Sequence, residues 1–434
     1  MEQRKASSLL IKGGHLIDPA AKADASMDVL LRDGHVAEVA PPNKIRGGAD
    51  ETFNARGLVV APGFIDLHVH LREPGQSYKE TIASGTSAAA AGGFASVCCM
   101  PNTTPVVDSM EWIVWVQQPQ RGAVVNVFPI AAATQASKGA VLTDFRGLQR
   151  AGAVAVSDDG RPILNETVMR EALRLATEIN LPVIQHAEDT RLTENCSMNE
   201  SATSFRLGLR GMKSSAEASI VDRDVQLAQQ FTGTRLHVAH VSTADALKAV
   251  RRGKRSKARV TCEVTPHHFT LTDADVGDYN TNCKMNPPLR SEADREALLV
   301  ALADGTVDAI ATDHAPHAMH EKIMEFDKAM FGVTGLETAL ALAITQLQRK
   351  HKIPLTRIVE LFTAGPARVV DLRGRGTLAR GSHADVTIFD PARRWTFDAG
   401  KSRSKARNTP FDGWQFTGKV VATIVGGRFA YRAD

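Results

Sequence analysis

Between residues 59 and 315, short apolar runs alternate eight times with stretches of helical periodicity, and this alternation constrains the fold more than any other feature of the chain. The runs fall at 59–67, 95–99, 124–130, 153–156, 182–184, 236–239, 259–264 and 308–311. Helix-like segments such as 166–178 and 245–251 separate them. Parallel strands need a crossover long enough to hold a helix, so strand–helix alternation predicts a parallel sheet. Eight units predict an α/β fold closed into a (β/α)8 TIM-type barrel, rather than an open doubly wound sheet. Further helices are expected at 336–349 and 355–363.

Both ends of the chain read differently. Residues 8–11, 28–31 and 35–39 are brief apolar runs, punctuated by Lys12-Gly13-Gly14 and Arg32-Asp33-Gly34. The Asp-Gly pair is a hairpin signal. Runs at 384–389 and 420–424, then a Gly426-Gly427 turn before 428–431, repeat the pattern at the other end. Neither end can enclose a core alone, so one small β-sandwich built from both termini is expected. The implied division is 1–60 and 369–434 for the sandwich and 61–368 for the barrel. A length of 434 residues suits one large barrel plus a smaller module.

Composition narrows the class of function. The net charge of +4 is small for this length, and the basic clusters at 251–255 and 401–407 lack interleaved aromatics. Both read as solvated surface, so no nucleic-acid partner is expected. Five cysteines without a CxxC argue for reduced thiols and against a disulfide framework or a thiolate zinc site. No apolar run has the length of a membrane span, and the apolar stretch before Lys12 is too short for a signal-peptide core. A soluble, cytoplasmic protein without a membrane partner is the expectation. No Gly-rich phosphate loop follows a strand, and Gly92-Gly93 reads as a helix terminator.

In a (β/α)8 barrel the chemistry sits at the C-terminal ends of the strands. Run one ends in Asp66-Leu67-His68-Val69-His70-Leu71-Arg72, and run two in Met100-Pro101-Asn102. Run four ends in Ser157-Asp158-Asp159-Gly160, run five in Gln185-His186-Ala187-Glu188-Asp189, and run six in His240-Val241-Ser242. Run seven ends in Thr265-Pro266-His267-His268, and run eight in Thr312-Asp313-His314-Ala315-Pro316-His317. Imidazole and carboxylate are the usual ligands of zinc-like divalent ions. His68 and His70, two apart on a strand, are expected on one side and able to share a metal. His186 and His240 offer a second pair, with Asp158 or Asp159 able to bridge the two metals and Asp313 next to strand one in a closed barrel. Taken singly, each feature has a plainer explanation: an isolated HxH is more often structural, Asp158-Asp159-Gly160 is a turn, and a lone histidine is a satisfied core residue. His267-His268 is read as capping strand seven and Asp245 as a helix-start residue. The coincidence of ligand types at so many strand ends favours a metal site.

The stretch from Gly63 to Gly75, through His68-Val69-His70-Leu71-Arg72-Glu73-Pro74, resembles the opening signature of the dihydroorotases. Ala311-Thr312-Asp313-His314-Ala315-Pro316-His317 resembles their closing one. Met100-Pro101-Asn102-Thr103, His237-Val238-Ala239-His240, Asn286-Pro287-Pro288-Leu289-Arg290 and Gly335-Leu336-Glu337-Thr338 fit between and after them in family order. The resemblance covers nearly the whole chain and points to the bacterial long form (class I) within the amidohydrolase superfamily. It implies that His68, His70 and Asp313 hold one metal, that His186 and His240 hold a second, and that Asp159 bridges them, with one or two Zn2+ per subunit. It implies substrate contacts at His70, Arg72, Asn102, Asn286, His317, Phe331 and Gly332, and a catalytic acid–base role for Asp313.

The implied reaction is reversible hydrolysis of (S)-dihydroorotate to N-carbamoyl-L-aspartate, run toward cyclisation in pyrimidine biosynthesis, with a metal-bound hydroxide as nucleophile. A homodimer and a complex with aspartate carbamoyltransferase are the partners it suggests. Two alternatives are another cyclic amidase, such as a hydantoinase, dihydropyrimidinase or allantoinase, and a non-catalytic partner of the transferase. The former typically bridge their metals with a carboxylated lysine from strand four, where this chain has none. The latter usually lose metal ligands, and none is lost here. The one departure is Ser201 after Met198-Asn199-Glu200, where the family often has glycine.

Overall fold

A computed structural model describes residues 8–433. Its centre is a barrel of eight strands: Phe64–Val69, Phe94–Cys99, Asn126–Ala131, Ala155–Val156, Val183–Gln185, Arg235–Val238, Arg259–Val264 and Ala309–Ile310. Each pairs with the next in parallel, in chain order. The ring closes where Val69 bridges His314 in parallel and the His70 N–H donates to the His314 carbonyl at 2.9 Å. Every expected barrel run therefore supplies a strand, although the fourth and eighth pair over only two residues.

The helices follow from local chemistry. Glu166–Glu178 begins at Asn165, whose side-chain oxygen accepts from the Thr167 and Val168 N–H groups, and it buries Met169, Ala172, Leu173 and Ala176. That spacing is one helix face, and it packs on the barrel wall. Thr243 caps Ala244–Lys254 in the same way, with Asp245 in its first turn. Gly92 ends the helix Ile82–Ala91. The helix expected from 336 starts later, at Ala339, and its second half, Ala343–Lys350, has the wider π pitch.

Strands from both termini hydrogen-bond into one eight-stranded sheet apart from the barrel. Its core joins Leu9, Ile11, Val29 and Leu31 from one end of the chain to Val386, Ile388, Ala422 and Ile424 from the other. Asp33 (φ 50°) and Gly34 (φ 78°) form the tight turn between Ala23–Arg32 and His35–Ala40. Two sequence expectations are corrected. Lys12-Gly13-Gly14 does not end a strand: Ser8–Asp18 runs through it, with a register shift between Ile11 and Gly14. A Cβ on Gly14 would lie 2.4 Å from Val60, so glycine lets the two strands approach. The run 59–67 is two strands. Val59–Pro62 joins the terminal sheet, and the chain enters the barrel after Gly63, where a Cβ would meet Ala95 at 2.5 Å and Asp385 at 2.9 Å.

Candidate metal centre and substrate cavity

Period-two alternation alone would aim strand one differently from what is observed. Ile65 and Leu67 pack in the barrel lumen, which would send His68 outward and Val69 inward. Register against strand two shifts between Asp66 and Val69, and Val69 packs instead with the outer helical layer. The irregularity reverses the parity and swings His68 and His70 to the barrel mouth, their rings 5.3 Å apart. Arg72 does not lie on the strand, which ends at Val69; a left-handed residue conformation (φ 61°) brings it to the cavity.

The six residues expected to hold metal converge. Around Asp159 lie His68 Nε2 (3.3 Å), His70 Nε2 (3.7 Å), His240 Nε2 (3.6 Å) and His186 Nδ1 (3.8 Å). Asp313 Oδ1 is 3.0 Å from His70 Nε2 and 3.5 Å from His68 Nε2. Two groups of three could each hold an ion, His68–His70–Asp159 and Asp159–His186–His240, and Asp159 is common to both. Its neighbour Asp158 points away, accepting from the Thr134 N–H at 2.9 Å and from its hydroxyl. His240 (φ 31°) and Asp313 (φ 46°) both hold unusual positive-φ conformations, local strain of the kind that gathers at functional sites.

The donor set fits a divalent ion. Ligands about 2.0–2.2 Å from one tetrahedral ion stand about 3.3–3.6 Å from each other, close to the spacings here. His68 Nε2 and Asp159 Oδ1 are buried without hydrogen-bond partners. Burial favours the neutral form of Asp159 and Asp313, yet the imidazoles, His68 foremost, hold both carboxyls below their usual range. Reciprocally, burial opposes a charge on His68, but Asp159 and Asp313 raise its pKa well above normal. The cluster is built to surround positive charge.

Carboxylates and an amide orient the rings from behind. His68 Nδ1 lies 2.9 Å from Glu263 Oε1, whose other oxygen meets His237 Nε2 at 3.1 Å. His186 Nε2 lies 3.0 Å from Glu188, and His70 Nδ1 lies 2.9 Å from the Asn102 carbonyl oxygen. Each fixes which ring nitrogen faces the cluster. Burial would raise Glu263 and Glu188, but the imidazoles bring both down to about 2. The sequence reading gave no role to either acid. Glu188 sits two residues past His186, and Glu263 is the one acidic side chain in the run 259–264. Of the pair His267-His268, both in the short helix after strand seven, His268 bonds Thr265 and the Pro287 carbonyl beside Asn286, while His267 Nε2 is buried without a hydrogen-bond partner.

Beside the cluster opens a cavity of ≈ 250 Å³, small even for a drug-sized ligand. His70, Arg72, Asn102, Asp159, His186, His240, Asn286, Asp313, His317, Phe331 and Gly332 all line it, so every expected contact residue reaches one space. Arg72 Nε donates to the Pro316 carbonyl at 3.1 Å. Asn286 gives its NH2 to Glu188 at 2.8 Å, leaving its carbonyl oxygen for the cavity. Burial, with Arg72 and Lys79 beside it, lowers His317 to about 3, so its ring is neutral, with Nε2 donating to the Phe331 carbonyl at 2.8 Å.

Comparison with known proteins agrees with this geometry. The Dihydro-orotase-like family model matches residues 57–246. A dihydroorotase of Solibacter usitatus is 51% identical over 96% of this chain and 97% of its own. One of Citrifermentans bemidjiense is 48% identical over 98% and 100%. Among solved structures, an L-hydantoinase of Arthrobacter aurescens superposes with a TM-score of 0.86 at 24% identity, covering 97% of this chain and 95% of that one. A dihydropyrimidinase of Brevibacillus agri gives 0.84 at 21%, covering 98% and 95%. These two likenesses establish the barrel-plus-sheet fold; the full-length identities of about one half establish the branch, and the chain belongs to the dihydroorotase family.

Proposed function

We propose that this chain catalyses the reversible opening of (S)-dihydroorotate to N-carbamoyl-L-aspartate, run toward ring closure in pyrimidine biosynthesis. The observation that carries the reading is the shared cavity: a buried arginine, the one side chain there suited to grip a carboxylate with a planar fork, opens onto the same ≈ 250 Å³ as the His–Asp cluster. The substrate is a small cyclic amide bearing one carboxylate, and both features are answered.

Among divalent ions we favour zinc, from the nitrogen-rich ligand set, with His68, His70 and Asp313 around one ion, His186 and His240 around another, and Asp159 between. A metal held there would supply Lewis acidity, the chemistry that acidifies water and polarises a carbonyl. Asp313, at the junction of cluster and cavity, accepts the proton of the attacking water and returns it to the ring nitrogen as the amide C–N bond breaks; in cyclisation the proton runs the other way. Arg72 holds the substrate carboxylate through its terminal nitrogens, since Nε is committed to Pro316. Asn102, whose oxygen is taken by His70, presents its NH2; Asn286 presents its carbonyl oxygen to a ring N–H. His317, Phe331 and Gly332 form the wall against the carboxylate end.

The test is metal content and turnover measured on one sample, with dihydroorotate, dihydrouracil and hydantoin compared by ultraviolet absorbance. Turnover of dihydroorotate at least about tenfold above the others is expected. Preference for a ring without a carboxylate would overturn the assignment of Arg72. The four deeply buried thiols and the partly buried Cys196 are all unpaired, which supports a reducing, cytoplasmic setting. A homodimer or a complex with aspartate carbamoyltransferase would show in size-exclusion chromatography with and without the transferase.

A further inference from the structure

The wall facing Arg72 is made of two backbone stretches distant in sequence, Ala315 to His317 and Phe331 to Gly332. Both are tied to one side chain from the C-terminal part of the chain. Asn408 is 4% exposed. Its NH2 donates to the Ala315 carbonyl at 3.0 Å and to the Gly332 carbonyl at 3.0 Å. Its side-chain oxygen accepts from the His317 N–H at 3.0 Å, and its backbone carbonyl accepts from Thr334 N–H at 2.9 Å.

The Gly332 carbonyl has a second donor, Lys322 Nζ at 3.1 Å, which also reaches the Met330 carbonyl at 2.8 Å. The Gly332 N–H donates to the Lys284 carbonyl at 2.9 Å. Both polar backbone atoms of Gly332 are therefore committed to residues that do not line the cavity. A Cβ would lie 2.7 Å from Ala315 Cβ and 3.1 Å from His317 Nε2, at φ 133°. The two stretches are in close contact and bond each other directly, Ala315 N–H to the Val333 carbonyl at 2.8 Å and His317 Nε2 to the Phe331 carbonyl at 2.8 Å, and Asn408 ties both from behind.

We propose that Asn408 is a positioning residue for the reaction, holding the His317 and Phe331–Gly332 segments at the separation that forms the carboxylate end of the cavity, with Lys322 bracing the second segment. This rests on the reading of the cavity as a dihydroorotate site. Asn408 does not touch the space the substrate would fill, since it is not among the residues that line the cavity. It acts through the residues it binds. A C-terminal segment beyond the barrel strands thereby completes the site.

The test compares the metal-loaded wild type with Asn408→Leu, which keeps the branching at Cγ and removes the donor and the acceptor. Loss of buried hydrogen bonds that fix a binding wall is expected to raise KM for dihydroorotate roughly tenfold or more while kcat stays within about threefold. Metal content should equal that of wild type, and backbone amides at 315–317 and 331–334 should lose protection in hydrogen exchange. A lowered melting temperature with unchanged KM would mean that Asn408 supports only the fold, and would overturn the proposal. Asn408→Asp is the second variant: it keeps the acceptor for His317 and sets an oxygen against two carbonyls, so KM should rise again. If neither variant folds with metal bound, the positioning role is likewise refuted. Wild-type inactivity on dihydroorotate would instead refute the substrate reading, and the exchange data would still report on the wall.

Discussion

Replacing Glu263 with glutamine isolates the electrostatic contribution of a residue that touches neither substrate nor metal. Glu263 is 1% exposed, and its two oxygens lie 2.9 Å from His68 Nδ1 and 3.1 Å from His237 Nε2. Glutamine keeps the shape. Its carbonyl can still accept from His68, while its NH2 faces His237, which can switch tautomer because its Nδ1 already lies 2.8 Å from the Thr261 hydroxyl. The geometry survives and the negative charge behind His68 is lost. Loss of such outer partners typically weakens metal binding about 10–100-fold, or about 1.4–2.7 kcal/mol. Alanine is a poorer probe: it orphans two buried N–H groups at about 1–3 kcal/mol each, a loss comparable to the lower range of total stability. The assay is a chelator competition read as bound zinc, with melting curves to show that the variant is folded. A folded Glu263→Gln protein that holds zinc within about twofold of wild type would refute the argument that this carboxylate tunes the cluster.

Three further outcomes are expected. Asp313→Asn should lower turnover by at least about 10²–10⁴-fold while retaining measurable metal at the His186–His240 side; near-normal turnover would remove Asp313 from proton transfer. Arg72→Lys should raise KM for dihydroorotate by roughly 10–100-fold, since a point charge replaces a fork worth about 1.5–3 kcal/mol per charged bond, and steady-state kinetics with unchanged KM would contradict it. Burial, with Lys284 beside it, lowers Lys322 from 10.5 to about 7, so above pH 7 the folded chain binds fewer protons here than the unfolded one. Stability from this residue should therefore grow as pH rises from about 7 toward 10, by up to about 1.4 kcal/mol per pH unit. Denaturant melts of wild type and Lys322→Met at pH 7 and 9 check the sign; an equal pH response in both would contradict it.

Much of the barrel and its ligand set was legible because both depend on local rules. Strand–helix alternation reports the parallel sheet, and ligand types at strand ends report the rim. The residues alone left Asp158 and Asp159 open, since both lie in one turn and differ only in where the backbone aims them: Asp158 binds Thr134, and Asp159 meets the histidines. Glu263 and Asn408 gain their meaning from partners distant in sequence, whereas Glu188 bonds His186 two residues away. The Asn408 side chain bonds to partners 76 to 93 residues away, and nothing near it in sequence marks it.

Strand one departs from simple alternation at its C-terminal end. Equal spacing places His68 and His70 on one side, but the same rule, started from Ile65 and Leu67, makes that side the outside of the barrel. The register shift between Asp66 and Val69 reverses it. Asp66 stands at the shift and accepts from the N–H groups of His68 and Thr312, the second of which comes from the end of strand eight. The carboxylate thus joins the first and last strand ends where the barrel closes, and aims His68 and Asp313 at each other. Arg72 then needs no strand at all: a left-handed turn beyond Val69 carries it to the same cavity. The His68–His70 pair and Arg72 are neighbours in sequence because one irregular strand end delivers both to the cavity.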